Sequence, residues 1–418
     1  MAGRYRALAD GTLQPFLADV PAAREKLGGR PESWTVREVG DGNLNLVFIV
    51  TGKDGAVVVK QALPYVRLVG ESWPLPLERS HYEYLALSEQ TKHAPHLVPK
   101  IFGYDRDMAL IVMEYLSPHV IMRKGLIRGI EYPRFATDIA EFMAQTLFNA
   151  SPLASTAAQH KARIADFAGN TELCRITEDL VFTDPYRIAE LNRWTKPFLD
   201  ETAAQFRADA PLKRAVQELK WKFLTSAEAM IHGDLHTGSI MLTTEDTRVI
   251  DPEFAFVGPM GFDVGAVIGN LLLAWFAQGG HEDAPHARDP YRAWILRQVD
   301  DIWTGFHDRF LALWRSNGTG DVYVAGLFED GPSAGTLREA QAAFMSRLFA
   351  DTLGFAGAKM IRRILGLAHV EDLESIKDPA RRAACEKPAL ALARELILGA
   401  KGYSGIAEVT RAARSIPI

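Results

Sequence analysis

Hydrophobic periodicity changes once along this chain, and that change limits what the chain can fold into. Between Trp34 and Tyr115 most apolar residues alternate with polar ones in short runs cut by Gly-rich turns; beyond Ser117-Pro118 they recur every three to four residues. A period of two marks half-buried strands and a period of 3.6 marks amphipathic helices. Trp34–Val39, Leu44–Thr51 and Ala56–Val59 read as strands, joined by turns at Gly40-Asp41-Gly42-Asn43 and Gly52-Lys53-Asp54-Gly55. This is an antiparallel meander. Pro76–Gln90 carries a helical pattern, and Val98–Tyr104 and Ala109–Tyr115 are two more strands. Ser117-Pro118 then breaks the pattern and is a candidate hinge. Phe135–Asn149, Pro185–Phe206, Lys213–Ser226 and Tyr291–Trp314 have helical spacing, interrupted by one β-like island of Ala229–His232, Ser239–Leu242 and Arg248–Ile250. The expected fold is α+β and bilobal. Residues 1–115 would form a small N-terminal antiparallel β-sheet lobe, and residues 116–418 a large, mainly α-helical C-terminal lobe.

Composition narrows the class further. The 418 residues are 48% hydrophobic and 24% charged, enough apolar content for a large core and too much for wholesale disorder. With 47 Lys+Arg against 52 Asp+Glu the net charge is −5, which argues against a dedicated nucleic-acid binder. Two distant cysteines, Cys174 and Cys385, rule out a disulfide framework and fit buried thiols in a reducing compartment. The apolar stretch Val264–Ala277 is interrupted by Gly265, Gly269 and Asn270. It falls short of the ~20 residues of a bilayer span and reads as a buried helix. The first residues contain no apolar core of signal-peptide length, so a cytoplasmic protein is expected.

Two segments can carry chemistry. Ile231-His232-Gly233-Asp234-Leu235-His236-Thr237-Gly238-Ser239 is followed by Val249-Ile250-Asp251-Pro252-Glu253, and each Asp follows a short apolar strand. A loop, strand, turn and strand would bring both carboxylates to one edge. Phosphoryl transfer needs one carboxylate to orient the attacking hydroxyl and another to hold Mg²⁺ on the phosphates. In an extended segment Glu253 would share a face with Asp251, making both metal candidates. A different reading takes His232, Asp234 and His236 as one face of a strand in a metal-dependent hydrolase. Upstream residues discriminate between the two. Gly42 and Asn43 lie in a hairpin turn that can approach phosphates without Cβ clashes. Lys60 ends an apolar strand and would contact the α/β-phosphates, held by Glu83 of the following helix, with Glu78 as a competitor. Glu114, Tyr115 and Leu116 precede the Ser-Pro break and can offer backbone groups to an adenine edge. A hydrolase leaves Lys60, the Gly turn and the hinge without a role.

This order of Gly-rich hairpin, strand Lys, helix Glu, hinge, His-Gly-Asp loop and metal-binding Asp resembles the protein-kinase-like aminoglycoside phosphotransferase and choline kinase superfamily. Within it, the chain is most similar to the methylthioribose kinase family. The resemblance rests on residues 40–48 (GDGNLNLVF), 71–75 (ESWPL), 232–239 (HGDLHTGS), 251–255 (DPEFA) and 362–370 (RRILGLAHV), and it spans nearly the whole chain. It implies ATP and Mg²⁺ as cofactors, 5-methylthioribose phosphorylated at its 1-hydroxyl in methionine salvage, and a homodimer. It also implies Asp234 as the catalytic residue, with nucleotide held by Gly42, Asn43, Lys60, Glu83, Glu114, Tyr115, Leu116, Asp251, Pro252 and Glu253, and metal by Asp251 and Glu253. Arg362 and Arg363 are expected near the substrate on a helix start at Lys359–Leu367; side chains of adjacent helix residues diverge by about 100°, so one should face the site more directly. The wider superfamily usually has Asn five residues after the catalytic Asp. Here Ser239 stands there, a weaker ligand, which gives Glu253 a reason to exist. Trp73 lies in a Pro-flanked loop, Ser72–Pro76, that is either a lid over the nucleotide or a packed anchor.

Overall fold

The computed structural model describes residues 5–40, 44–66 and 70–416. Two short helices, α1 (Asp10–Ala18) and α2 (Pro21–Leu27), lead into a five-stranded sheet of β1 (Thr35–Glu38), β2 (Asn45–Thr51), β3 (Ala56–Ala62), β6 (Ile101–Asp105) and β7 (Leu110–Glu114). The strand order is β1-β2-β3-β7-β6, with every neighbouring pair antiparallel. Between β3 and β6 come a hairpin of β4 (Tyr65–Val66) and β5 (Gly70–Pro74) and the helix α3 (Arg79–His93).

Strand alternation assigns the two faces of β3. Val57 and Val59 are fully buried against Leu13, Leu17 and Leu27 of α1 and α2. Val58 and Lys60 therefore point to the opposite face, where α3 packs Ala86 and Leu87 beside Ile111 and Met113. Lys60 does not end the strand: it is paired with Val47 on one side and Ile111 on the other, and Gln61 and Ala62 continue past it.

After the hinge come β8 (Val120–Ile121), α4 (Met122–Arg128), α5 (Phe135–Asn149), α6 (Ala157–Phe167), α7 (Thr171–Phe182), α8 (Asp200–Ala208) and α9 (Ala210–Thr225). The β island holds β9 (Ala229–Ile231), β10 (Ile240–Leu242), β11 (Thr247–Val249) and β12 (Phe256–Gly258). It is not one sheet: β9 pairs with β12, while β10 lies between β11 and β8. Helices α10 (Met260–His281), α11 (Asp289–Asn317), α12 (Leu337–Leu365), α13 (Glu371–Glu374), α14 (Pro379–Gly399) and α15 (Ile406–Ser415) complete the large lobe.

Helix α10 is the lobe's axis. At 22 residues it is long and apolar enough to cross a membrane, longer than its uninterrupted apolar stretch suggests, but its apolar window is wholly buried inside the protein. Its glycines have a packing reason. A Cβ on Gly265 would meet the Thr352 carbonyl oxygen at 2.6 Å, and one on Gly269 the Ala356 carbonyl oxygen at 2.8 Å. α10 and α12 therefore cross nearly backbone to backbone, which carries the end of α12 to the Asp234 loop.

Three further expectations need correction. Residues 187–199 are not helical: only a 3₁₀ turn (Asp184–Tyr186) precedes α8. Asn192 Nδ2 donates to the carbonyls of Asp184 and Arg187, taking acceptors a helix would use, and Pro197 has no N–H to give. Lys359–Leu367 is the end, not the start, of a helix, since α12 runs 29 residues to Leu365. Ser72–Pro76 is not all loop: Trp73 lies in β5, half-buried against the cluster of Val66, Leu75 and Leu173, so the structure has it as a packed anchor.

Candidate active site

Two groups of charged side chains meet between the lobes. The upper one is centred on Lys60. Its ammonium bonds Glu83 Oε1 at 2.8 Å and also Asp251 Oδ1. Burial pulls Lys60 down, but Asp251, Glu83 and Glu253 more than reverse this and hold the ammonium above its ordinary value. Glu83 is pushed up by burial, with Lys60 opposing. Oxygens of Glu83, Asp251 and Glu253 all lie within 4.8 Å of one another. Asp251 is not in an extended segment: its φ is +70°, a conformation L-residues seldom adopt, and this turn rather than strand alternation brings Asp251 and Glu253 together.

Glu253 is also tied to the small lobe. Its Oε2 accepts from Asn45 Nδ2 at 2.9 Å and lies 3.6 Å from Arg79 Nε. Arg79 is fully buried and donates to Leu63 O, Leu44 O and Asn45 Oδ1 at 2.6, 2.7 and 2.9 Å. Asn170 of the large lobe donates to the carbonyls of Glu253 and Ala255 at 2.9 Å each. Pro252 is buried beside Glu253.

The lower group is centred on Asp234. Asp263, in the first turn of α10, accepts from the His232 and Gly233 N–H groups at 2.6 and 3.0 Å. Gly233 has φ +81°, and a Cβ there would lie 2.1 Å from the Phe254 carbonyl oxygen. His232 Nε2–H donates to Ile250 O at 2.9 Å, which fixes the Asp234 loop to the Asp251 turn. Asp234 Oδ1 lies 2.9 Å from Lys359 Nζ and 3.8 Å from Arg363 Nη2, and Oδ2 lies 3.2 Å from His236 Nε2. His236 Nδ1 accepts from Gly238 N–H at 2.8 Å, so its proton sits on Nε2 and is donated to Asp234. Burial pushes His236 down to about 3, making it neutral. Burial alone would raise Asp234, but Lys359, His236 and Arg363 hold it well below the usual carboxylate range. The predicted weak ligand Ser239 donates its hydroxyl to Asp234 O at 2.9 Å, so it braces the loop.

Arg362 and Arg363 are both buried. Arg363 Nη1 donates to Ala368 O at 2.9 Å, while Nε and Nη2 of Arg363 and Nε and Nη1 of Arg362 have no hydrogen-bond partner among the described residues. Buried guanidinium nitrogens in that state suit an anion. Both are buried in the field of Asp234, and Arg363 is the one that approaches it, its Nη2 3.8 Å from Asp234 Oδ1.

The structure thus gathers Lys60, Glu83, Asp251 and Glu253 at one place and Asp234, Arg362 and Arg363 at another. Glu78 is exposed and is not the Lys60 partner. Glu114 ends β7 with its N–H on Lys100 O and its carboxylate toward Lys100 N and Arg248, and Tyr115 and Leu116 follow it at the hinge. Gly42 and Asn43 lie outside the described residues. The His232-Asp234-His236 metal face is not formed, because His232 and His236 use their ring nitrogens on the main chain and on Asp234.

Sequence reasoning missed Asn45, Arg79, Lys359 and Arg123. Arg123 of α4 pairs with Asp372 at 3.0 Å and lies 3.3 Å from His236 Nδ1. Lys359 had a signal: it stands three and four residues before the arginine pair, on one helix face.

A profile of the "Phosphotransferase enzyme family" matches residues 35–302. "Methylthioribose kinase 1" of Oryza sativa subsp. japonica is 48% identical over 97% of this chain and 94% of its own. "Methylthioribose kinase" of Escherichia coli O45:K1 (strain S88 / ExPEC) is 46% identical over 98% of each. This chain belongs to the methylthioribose kinase family. The general phosphotransferase match takes in Lys60, Asp234 and Asp251 but stops before α12. Lys359, Arg362 and Arg363 lie beyond that match, on α12.

Proposed function

We propose that the protein transfers the γ-phosphoryl group of ATP, with Mg²⁺, to the 1-hydroxyl of 5-methylthioribose, giving 5-methylthioribose 1-phosphate and ADP in methionine salvage. The observation that carries this reading is an ionised Asp234 set beside two buried arginines, each with two guanidinium nitrogens that lack partners among the described residues. A carboxylate to receive a hydroxyl and an unfilled anion site next to it are the acceptor half of a phosphotransferase.

Asp234 is poorly basic in this field. That suits an anomeric hydroxyl, which is more acidic than a simple alcohol, and leaves orientation as the main task of the carboxylate. Arg362 and Arg363 offer their unpartnered nitrogens to the phosphoryl group as its charge spreads. Lys60, fixed by Glu83, would contact the nucleotide phosphates, and Glu114, Tyr115 and Leu116 would offer backbone groups to the adenine edge. The clustered oxygens of Glu83, Asp251 and Glu253 are the hard donors Mg²⁺ prefers, so these residues fit the ion and would hold it. Bound there, Mg²⁺ neutralises phosphate charge. The family resemblance adds a homodimer, which sedimentation of the purified protein would test.

Screening acceptor sugars with MgATP tests the reaction. Methylthioribose should be preferred over ribose. Burial of one methyl contributes only about 1 kcal/mol, so strong rejection of ribose requires its 5-hydroxyl to be left unpaired in an apolar pocket. Ribose phosphorylated as efficiently as methylthioribose would overturn the substrate assignment and leave the kinase class standing. Asp234→Asn should keep nucleotide binding and lower kcat by roughly 10²–10⁴.

A further inference from the structure

Lys359 has no task in that mechanism, although its buried ammonium is one hydrogen bond from the reacting carboxylate. It is 2% exposed, and its hydrogen bond goes to Asp234. It stands one helical turn before Arg363 on the same face of α12. Its Nζ lies 4.4 Å from the ring centroid of Phe262 on α10, a position that favours the charged form. The ionisable groups that face it are Asp234, Arg362 and Arg363, together with Asp263 of α10. Asp263 is already committed to the N–H groups of His232 and Gly233.

The two oxygens of Asp234 are thus held by different elements, Oδ1 by α12 through Lys359 and Oδ2 by the loop through His236. The carboxylate cannot rotate without losing one of these bonds. Without Lys359, Oδ1 would face only Arg363, whose 3.8 Å is beyond a hydrogen bond. We propose that Lys359 is a positioning residue for phosphoryl transfer, which locks the Asp234 carboxylate in one orientation and keeps it ionised as the acceptor hydroxyl arrives. The proposal rests on the reading of Asp234 as the residue that receives that hydroxyl. It separates Lys359 from the arginines, whose unpartnered nitrogens await the phosphoryl group.

The clamp has an alkaline limit. Burial brings Lys359 down to about 8, with Asp234 opposing. Below that pH the ammonium is present and the clamp holds; above it the amine is neutral and kcat should fall. Lys359→Met keeps an apolar chain beside Phe262 and removes the charge. The variant should lose about 10²-fold in kcat, with little change in KM for ATP. Its pH–rate profile should lose the decline near pH 8, and its acid limb should move up because Asp234 no longer has its ammonium. The double variant Asp234→Asn/Lys359→Met should be no slower than Asp234→Asn alone, because Lys359 acts through Asp234. Wild-type kcat in Lys359→Met, a decline near pH 8 that persists in it, or additive losses in the double variant would each overturn the proposal. If Lys359→Met does not fold, the wild-type profile decides: no fall in kcat near pH 8 overturns it. Wild-type turnover in Asp234→Asn alone would instead remove Asp234, and the proposed mechanism with it.

Discussion

Glu253→Ala separates the two jobs the structure gives that carboxylate. One is structural. Glu253 Oε2 and Arg79 Nε are 3.6 Å apart with both side chains almost fully buried, so solvent screening is slight. At an effective dielectric of about 20 the pair attracts by about 4–5 kcal/mol. Truncation leaves the Arg79 guanidinium, among the described residues, with neutral acceptors only, the carbonyls of Leu63, Leu44 and Pro76 and the Asn45 amide oxygen. Breaking a buried pair from one side commonly costs about 3–5 kcal/mol. Part of that returns here, because Glu83 is relieved of its repulsion from the Glu253 carboxylate. A net loss of about 2–4 kcal/mol is expected, a fall in melting temperature of roughly 5 °C. The other job is metal binding, read without turnover as the extra thermal stability that MgADP confers over ADP alone. That increment should shrink in Glu253→Ala and persist in Asn45→Ala, which loses a hydrogen bond to Glu253 but keeps the carboxylate. A Glu253→Ala protein that melts with the wild type would refute the buried-pair reasoning, and one with a full MgADP increment would remove Glu253 from the metal site.

Gly233→Ala places a Cβ 2.1 Å from a backbone oxygen at φ +81°; it should lower the melting temperature and kcat together, as the Asp234 loop shifts on Asp263. Arg362→Lys and Arg363→Lys keep the charge but lose the planar fork, so both should lower kcat by about tenfold or more with little change in KM for ATP. Arg363→Lys should be the more severe, since Arg363 also approaches Asp234 and holds Ala368. Steady-state kinetics with ATP and methylthioribose check both.

What the sequence revealed and what it concealed divide along one physical line. Lys60, Glu83, Asp234 and Asp251 were legible because each lies in a local pattern, a strand face, a helix face, or a turn after a short apolar run, while the arginine pair was legible only through the family resemblance. The sheet and most helices were legible for the same reason. Residues 187–199 failed because side-chain bonds from Asn192 captured the backbone, which periodicity does not register. Arg79 and Asn45 were hidden because their meaning depends on Glu253, about two hundred residues away in the other lobe. Lys359 is the sharpest case. On its helix it is one more cation beside two arginines. It becomes the partner of Asp234 only because Gly265 and Gly269 let α12 lie nearly backbone to backbone on α10, whose first turn also holds the His232-Gly233 backbone through Asp263. Two glycines in a buried helix thus set the distance between a lysine and a carboxylate 125 positions apart in the chain. A side chain larger than hydrogen at either glycine would push the lysine off the carboxylate before it touched any charged group.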